Sequence, residues 1–244
     1  MNHSADVDTH YDLIIIGAGS GNSIPTPDFD DWSIAIIEEG KFGGTCMNAG
    51  CIPTKMFVLA ADTAFDAAHA SRLGVDASFN GADWKAITER IFTNRIDLIA
   101  AGGEEFRRSE ASANVDVYDR RASFSGPKTI VTGQGEEEKV ISGDTIIIAA
   151  GARPFVPEWA EGVPFHTSDD VMRLERQPES LTIVGGGFIA MEFAHIFQSL
   201  GTHVRIVNRS PFLRTLDADI TEAFNDIADE TYEVHKGRTV VSAT

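Results

Sequence analysis

The chain has 244 residues, 43% of them hydrophobic and 23% charged, a composition that suits a soluble globular protein with room for a sizeable core. Against 20 Lys and Arg stand 37 Asp and Glu, a formal charge of -17. Such a surface repels polyanions, so neither nucleic acid nor a membrane is expected as a partner. The opening MNHSADVDTHYD is polar and lacks an apolar signal core, and no run approaches the roughly 18 apolar residues of a membrane span. The expected compartment is the cytoplasm, where a structural disulfide is out of place but a catalytic one is not.

In chain order, Leu13 to Ile16 read as a buried parallel strand running into GAGSGN, and SIAIIE reads as a second strand ending at Glu38. Residues 54 to 70 read as a helix with Thr54 as its cap, and 82 to 108 as a second helix on the spacing of Trp84, Ile87, Ile91, Leu98 and Ile99. Five short runs follow: VDVYD, RASFSG, KTIVTG, KVISG and TIIIAAG. They predict a small antiparallel meander at about 115–143 that returns to the main sheet, with EEE at 136 to 138 in a solvated hairpin turn. From 181, LTIVGGGFIAMEFAHIFQSLG reads as strand, glycine turn and helix, and THVRIVNRS as the next strand.

Two glycine turns therefore follow strands. In a Rossmann unit such glycines let the backbone turn tightly against a pyrophosphate that meets helix N-terminal amides. The first is Gly17-Ala18-Gly19-Ser20-Gly21-Asn22, where Asn22 stands in place of the third glycine and Pro25 and Pro27 shorten or distort the usual helix. The acid expected about 20 positions on is present as Glu38, suited to a ribose hydroxyl. The second turn, Gly185 to Ala190, satisfies G-x-G-x-x-A through Gly185, Gly187 and Ala190, with Phe188 and Ile189 between. Where an NAD site carries a carboxylate this chain has Asn208 and Arg209, with Arg214 beyond. Guanidinium groups bind the extra phosphate of NADPH, the favoured cofactor, although solvated arginines would read the same.

The only two cysteines lie in GGTCMNAGCIPTK, residues 43 to 55. This stretch resembles the active-site segment of the flavin-dependent pyridine nucleotide–disulfide oxidoreductases, the family of glutathione reductase and dihydrolipoyl dehydrogenase. Within it, GSGNS at 19 to 23 and TKMFVLAAD at 54 to 62 are most similar to the mycothione reductase branch. The resemblance implies FAD at the first turn and NADPH at the second. It implies a redox-active Cys46–Cys51 disulfide, with Cys51 the flavin-proximal thiol and Cys46 the thiol that attacks the substrate disulfide. It also implies that Gly44 and Thr45 approach the flavin, that Lys55 near the flavin pairs with Glu192, and that Phe188 is an aromatic gate over the nicotinamide pocket. Ala150 and Gly151 would pass near FAD, and Ala122 would offer adenine contacts. His195 is read as a packing or surface residue, and no metal site is expected.

The expected fold is α/β with two Rossmann-like dinucleotide-binding domains of ββα three-layer type: an FAD domain over 1–154 and an incomplete NADPH domain over 155–244. A C-terminal dimerisation domain with its catalytic His-Glu pair is expected to be absent. None of the seven histidines has a Glu five positions later, so none is assigned that role. Because the resemblance covers only about the first half of a full-length relative, the chain reads as a fragment, as a sequence with residues left out or as a true truncation, with impaired turnover. The full-length form is expected to be a homodimer. The expected reaction is NADPH-dependent reduction of a low-molecular-weight disulfide, with mycothiol disulfide favoured. Dihydrolipoyl dehydrogenase is the alternative of the same class, and a non-catalytic flavin-binding or redox-sensing remnant the alternative of another.

Overall fold

A computed structural model describes residues 7–243. The first six residues of the polar N-terminal stretch, and the last residue of RTVVSAT, lie outside the described residues. The chain divides into two compact units, one of residues 1–51 with 93–153 and one of residues 52–92 with 154–244. Segment 52–92, assigned to the first domain on sequence grounds, therefore groups with 154–244.

The first unit is built on a six-stranded sheet in the order β3-β2-β1-β6-β5-β4. Strands β1 (Thr9–Ile16) and β2 (Ile34–Ile37) run parallel, Ile14 opposite Ala35 and Ile16 opposite Ile37. Their aliphatic runs are continuous rather than alternating because both faces are covered. Leu13, Ile15, Ile34 and Ile36 pack in one cluster, and Ile14, Ala35 and Ile37 in another. Each isoleucine so enclosed contributes about 1.5–3 kcal/mol relative to exposure.

The meander differs from expectation in two respects. KVISG and TIIIAAG form one ten-residue strand, β6 (Lys139–Ile148), parallel to β1 and antiparallel to β5 (Thr129–Thr132). VDVYD forms β3 (Val115–Tyr118), which leaves the meander and pairs parallel with β2. Its placement is fixed by polar groups that alternation does not reveal. The buried Tyr11 hydroxyl donates to Asp116 Oδ2 at 2.6 Å and meets the Tyr118 hydroxyl at 2.7 Å, joining β1 to β3 across the intervening strand. Only β4 (Ala122–Gly126), β5 and the first part of β6 are antiparallel, with a short turn at Gly135–Glu137 carrying the acidic run.

Helix α1 (Gly44–Asn48) holds Cys46, and α2 (Cys51–Ala68) begins at Cys51, the division between units falling just after that residue. Thr54 is therefore not a cap. It lies buried inside α2, its hydroxyl 3.7 Å from Met172 Sδ, because Pro53 is tolerated in the first turn and the helix starts earlier. The expected helix at 82–108 is α3 (Trp84–Thr88), a π-helical stretch (Glu89–Ile96) and α4 (Asp97–Arg107) in succession.

In the second unit, β7 (Ser180–Val184), β8 (His203–Asn208) and β9 (Glu233–Lys236) form a parallel sheet, linked by α5 (Phe188–Ser199) and α6 (Ala218–Thr231). Phe57 of α2 lies 5.2 Å from Trp84 and 6.2 Å from Phe92, ring to ring, and Trp84 stacks on Phe197 of α5 at 5.4 Å. The Trp84 indole N–H donates to the Leu174 carbonyl at 2.7 Å, so the polar edge of this aromatic core is satisfied. The fold is α/β with two parallel-dominated sheets. Among the described residues no helix is long and apolar enough to cross a membrane.

Candidate active site

The first glycine turn sits at the carboxyl ends of β1, β2 and β6. Gly17 N donates to Ile37 O at 2.8 Å and Ala149 N to Ile16 O at 2.8 Å. Strand β2 lies on one side of β1 and β6 on the other, so the turn opens into the crevice where the strand order reverses, the usual dinucleotide position in such sheets. Gly17 has φ +105°, and a Cβ there would lie 2.2 Å from the Ala149 carbonyl oxygen. That contact brings the Ala149-Ala150-Gly151 segment beside the turn.

Glu38 directly follows β2 and folds its carboxylate back. Oε2 accepts from Ala18 N at 2.8 Å and Oε1 from Gly40 N at 2.9 Å. Each oxygen keeps a further acceptor direction, which suits a ribose hydroxyl. The sequence leaves the third glycine position to Asn22, but the packing role of that glycine is met one place earlier. A Cβ on Gly21 would stand 2.7 Å from Ile15 Cγ2 and 3.0 Å from Ala149 Cβ.

The cysteine segment is fastened to this turn. Gly43 N donates to Ala18 O at 2.9 Å, and a Cβ on Gly44 would lie 2.7 Å from the Gly19 Cα. The Asn48 amide closes the short α1 by donating to Phe42 O at 2.8 Å and Gly44 O at 3.0 Å. Cys46 and Cys51 are both exposed thiols, and Thr45 is exposed beside them. Cys51 stands at the first position of an 18-residue helix, where aligned peptide dipoles favour negative charge.

In the second unit the Lys55 ammonium of α2 pairs with the Glu192 carboxylate of α5. One turn further along α5, His195 Nε2 meets Asp62 Oδ1 of α2 at 2.7 Å. The second glycine turn differs in kind from the first. Gly185, at φ +131°, and Gly187 would each direct a Cβ into open space, and α5 begins with no side-chain cap on its first-turn amides. Both features fit an incoming pyrophosphate. Phe188 is 70% exposed over this turn, with Ile189 also exposed and Ala190 half-buried.

Asn208, at the end of β8, is 7% exposed and donates its amide to the Ser210 carbonyl, filling the space beside Gly186. Arg209 and Arg214 are exposed and line a cleft of about 740 Å³ together with Thr221, Asn225 and Lys236. Ala122 opens β4 opposite Thr132 and is half-buried, and Ala150 and Gly151 are exposed. Sequence reasoning passed over Lys236, and also Arg107 of α4, because a lone cation at the end of an element has no spacing that singles it out. It also missed α6. Its only sequence signal is the Asp217 cap, whose carboxylate accepts from Asp219 N at 3.2 Å.

The candidate sites are thus a closely packed glycine turn with the two-cysteine segment fastened to it in one unit, and an open glycine turn in the other. Residues 11–243 match the family model described as pyridine nucleotide-disulphide oxidoreductase. Mycothione reductase of Mycobacterium tuberculosis (strain ATCC 25618 / H37Rv) is 46% identical over 239 residues, covering 95% of this chain and 51% of that protein. Glutathione reductase of Burkholderia cepacia is 36% identical over 227 residues, 88% of this chain and 47% of the relative. Among solved structures, the Cu(II) complex of HOCl-induced flavoprotein disulfide reductase RclA from Escherichia coli superposes with a TM-score of 0.80 at 27% identity, over 96% of this chain and 51% of that one. The chain thus spans about half the length of the curated relatives it matches. On the match over nearly its whole length, the chain belongs to the pyridine nucleotide-disulphide oxidoreductase family.

Proposed function

We propose that this chain carries the FAD site, the NADPH site and the redox dithiol of a disulfide reductase acting on a low-molecular-weight disulfide, with mycothiol disulfide the preferred substrate. The observation that carries the reading is the seating of GGTCMNAGCIPTK on the first glycine turn through Gly44 and Gly19. Both exposed thiols belong to that segment, which supports reading them beside the dinucleotide that the turn would hold. The substrate preference leans on the 46% identity to mycothione reductase.

The FAD residues in this reading are Gly17, Gly19, Ser20, Gly21, Asn22, Glu38, Gly44, Thr45, Ala122, Ala150 and Gly151. Bound there, the flavin supplies a two-electron carrier between nicotinamide and disulfide. Cys46, as thiolate, attacks one sulfur of the substrate; its S–S bond breaks, one thiol leaves, and a mixed disulfide forms on Cys46. Cys51 then attacks the Cys46 sulfur, releases the second thiol and leaves the Cys46–Cys51 disulfide. With two electrons from one NADPH and one solvent proton, the Cys46–Cys51 pair would return to the dithiol, so each disulfide reduced would consume one NADPH and yield two thiols.

For NADPH, Gly185, Gly187 and the α5 amides take the pyrophosphate, with Phe188, Ile189 and Ala190 beside the nicotinamide path. Arg209 and Arg214 face the 2′-phosphate from the cleft, and Asn208 holds the turn that presents them. The Lys55–Glu192 pair fixes the lysine. The compartment in this reading is the cytoplasm, and the full-length form is a homodimer.

Thiol counting after anaerobic reduction tests the proposal. FAD-loaded protein, first oxidised, is mixed with one equivalent of NADPH and titrated with a thiol reagent. Two new thiols per chain are expected, and none in Cys46→Ser or Cys51→Ser. No new thiols in the parent protein would defeat the reading. Comparing mycothiol disulfide, glutathione disulfide and lipoamide as acceptors then assigns the substrate.

A further inference from the structure

A dinucleotide turn ordinarily runs straight into a long helix, whose first-turn amides and aligned dipoles supply positive charge to the pyrophosphate. The first turn of this chain runs instead into two short 3-10 turns, Ser20–Ser23 and Pro27–Phe29. Pro25 and Pro27 bring no N–H to the segment. Three or four residues align few peptide dipoles and give the loop little rigidity of its own.

A guanidinium occupies the gap. Arg107, the last residue of α4, donates from Nε to Asn22 Oδ1 at 2.8 Å, and from Nη2 to the Asn22 carbonyl at 2.8 Å and the Pro25 carbonyl at 3.2 Å. It comes from 85 residues away in sequence. The departure from the glycine pattern now has a physical reason. With Gly21 meeting Ile15 and Ala149, position 22 is free to carry a side chain, and the one it carries is an acceptor for Arg107. Partial burial lowers the arginine's pKa from its ordinary value, yet the group stays charged at any working pH.

We propose that Arg107 is a positioning residue for the dinucleotide pyrophosphate. It clamps the 19–25 loop in its binding conformation and supplies there the positive charge that a long helix would bring. The inference rests on reading this turn as the FAD site.

Arg107→Met and Arg107→Lys separate the two parts. In Arg107→Met, FAD measured by flavin fluorescence should bind about 10- to 30-fold more weakly at about 0.01 M salt, with the deficit shrinking at about 1 M as charge is screened. Hydrogen exchange of residues 19–25 in the cofactor-free protein should quicken. Arg107→Lys keeps the charge but not the fork, so it should recover the salt-dependent part of FAD binding while the loop still exchanges fast. A purely structural role would leave the salt dependence the same in both variants. FAD affinity and loop exchange both at parent values in Arg107→Met overturn the proposal. Where that variant does not fold, Asn22→Ala, which removes the Nε acceptor and keeps the charge, tests the clamp alone: residues 19–25 should exchange faster, and exchange at the parent rate overturns the clamp. A parent protein that takes up no FAD would refute the FAD reading and the pyrophosphate role with it. Quickened loop exchange in Arg107→Met would still support the clamp.

Discussion

Gly44 lies against Gly19 so closely that it has no room for a side chain: a Cβ on Gly44 would be 2.7 Å from the Gly19 Cα, and one on Gly19 would be a tight 3.2 Å from the Gly44 Cα. The contact registers the cysteine segment on the first glycine turn. Gly44→Ala should cost about 1–3 kcal/mol through overpacking, with a further ~1 kcal/mol because Gly44 sits at φ +58°. FAD content should fall with it. Gly151→Ala is the control, since Gly151 also has positive φ (+70°) but open space around it, and should cost only about 1 kcal/mol. Urea unfolding and flavin absorbance of the purified variants check both.

The Lys55–Glu192 pair predicts a separation of stability from turnover. The two side chains are 66% and 32% exposed, so the pair contributes at most about 1 kcal/mol to stability. Lys55→Met and Glu192→Gln should therefore unfold within about 1 kcal/mol of the parent while slowing the appearance of thiols after NADPH about tenfold or more. A double-mutant cycle on that rate should show the two substitutions to be non-additive. Additive rates would mean that the lysine and the glutamate act separately.

Nucleotide choice should reside in the exposed arginines of the cleft. Replacing both Arg209 and Arg214 by Ala would remove two charge-assisted contacts of about 1.5–3 kcal/mol each, which together convert to a KM for NADPH raised about 100-fold or more. The KM for NADH should stay near the parent value, and kcat should change little. Steady-state kinetics with both nucleotides decides this, and equal losses for the two would remove the arginines from phosphate recognition.

A pH effect is expected at Glu233, on β9. Its carboxylate accepts from Arg205 Nε at 2.6 Å and meets ring nitrogens of His235 at 3.0 Å and His203 at 2.9 Å. These partners, Arg205 foremost, lower its pKa from 4.5 to about 2. A carboxyl depressed in the folded state releases its proton more readily there than in the unfolded chain. Its stabilising contribution is therefore complete above about pH 4.5 and is lost as the pH falls through about 2. Glu233→Gln should flatten the pH dependence of unfolding in that window and leave it unchanged near neutrality. Denaturation series from pH 6 downward measure the slope directly.

What could be read from the residues depended on whether the determining contact was local. Aliphatic continuity is such a case: Leu13 to Ile16 and Ile34 to Ile37 show in one dimension that both faces are covered. The cysteine spacing and the two glycine turns were legible for the same reason. The place of VDVYD was not, because it depends on Tyr11 reaching Asp116 and Tyr118 across another strand. Asn22 was visible as a departure, but its meaning required Gly21 to be seen against Ala149 and Arg107 to arrive from α4. Helix α6 escaped because its inward face is carried partly by the polar Asn225, which holds the Phe212 backbone, while Ile220 and Ile227 are exposed.

Strand β6 has a consequence for how the chain is made. It lies beside β1 from Thr9 opposite Ile141 to Ile16 opposite Ile148, and it anchors the antiparallel arm on its other edge. On the ribosome β1 emerges first and its partner last among the strands of that sheet, at about 5–20 residues per second. For on the order of ten seconds the aliphatic edge of β1 has no native neighbour on that side, and nascent chains held close together would offer one another the same edge. The strand that flanks the first glycine turn is thus also the one whose late arrival sets the window for misassembly during synthesis.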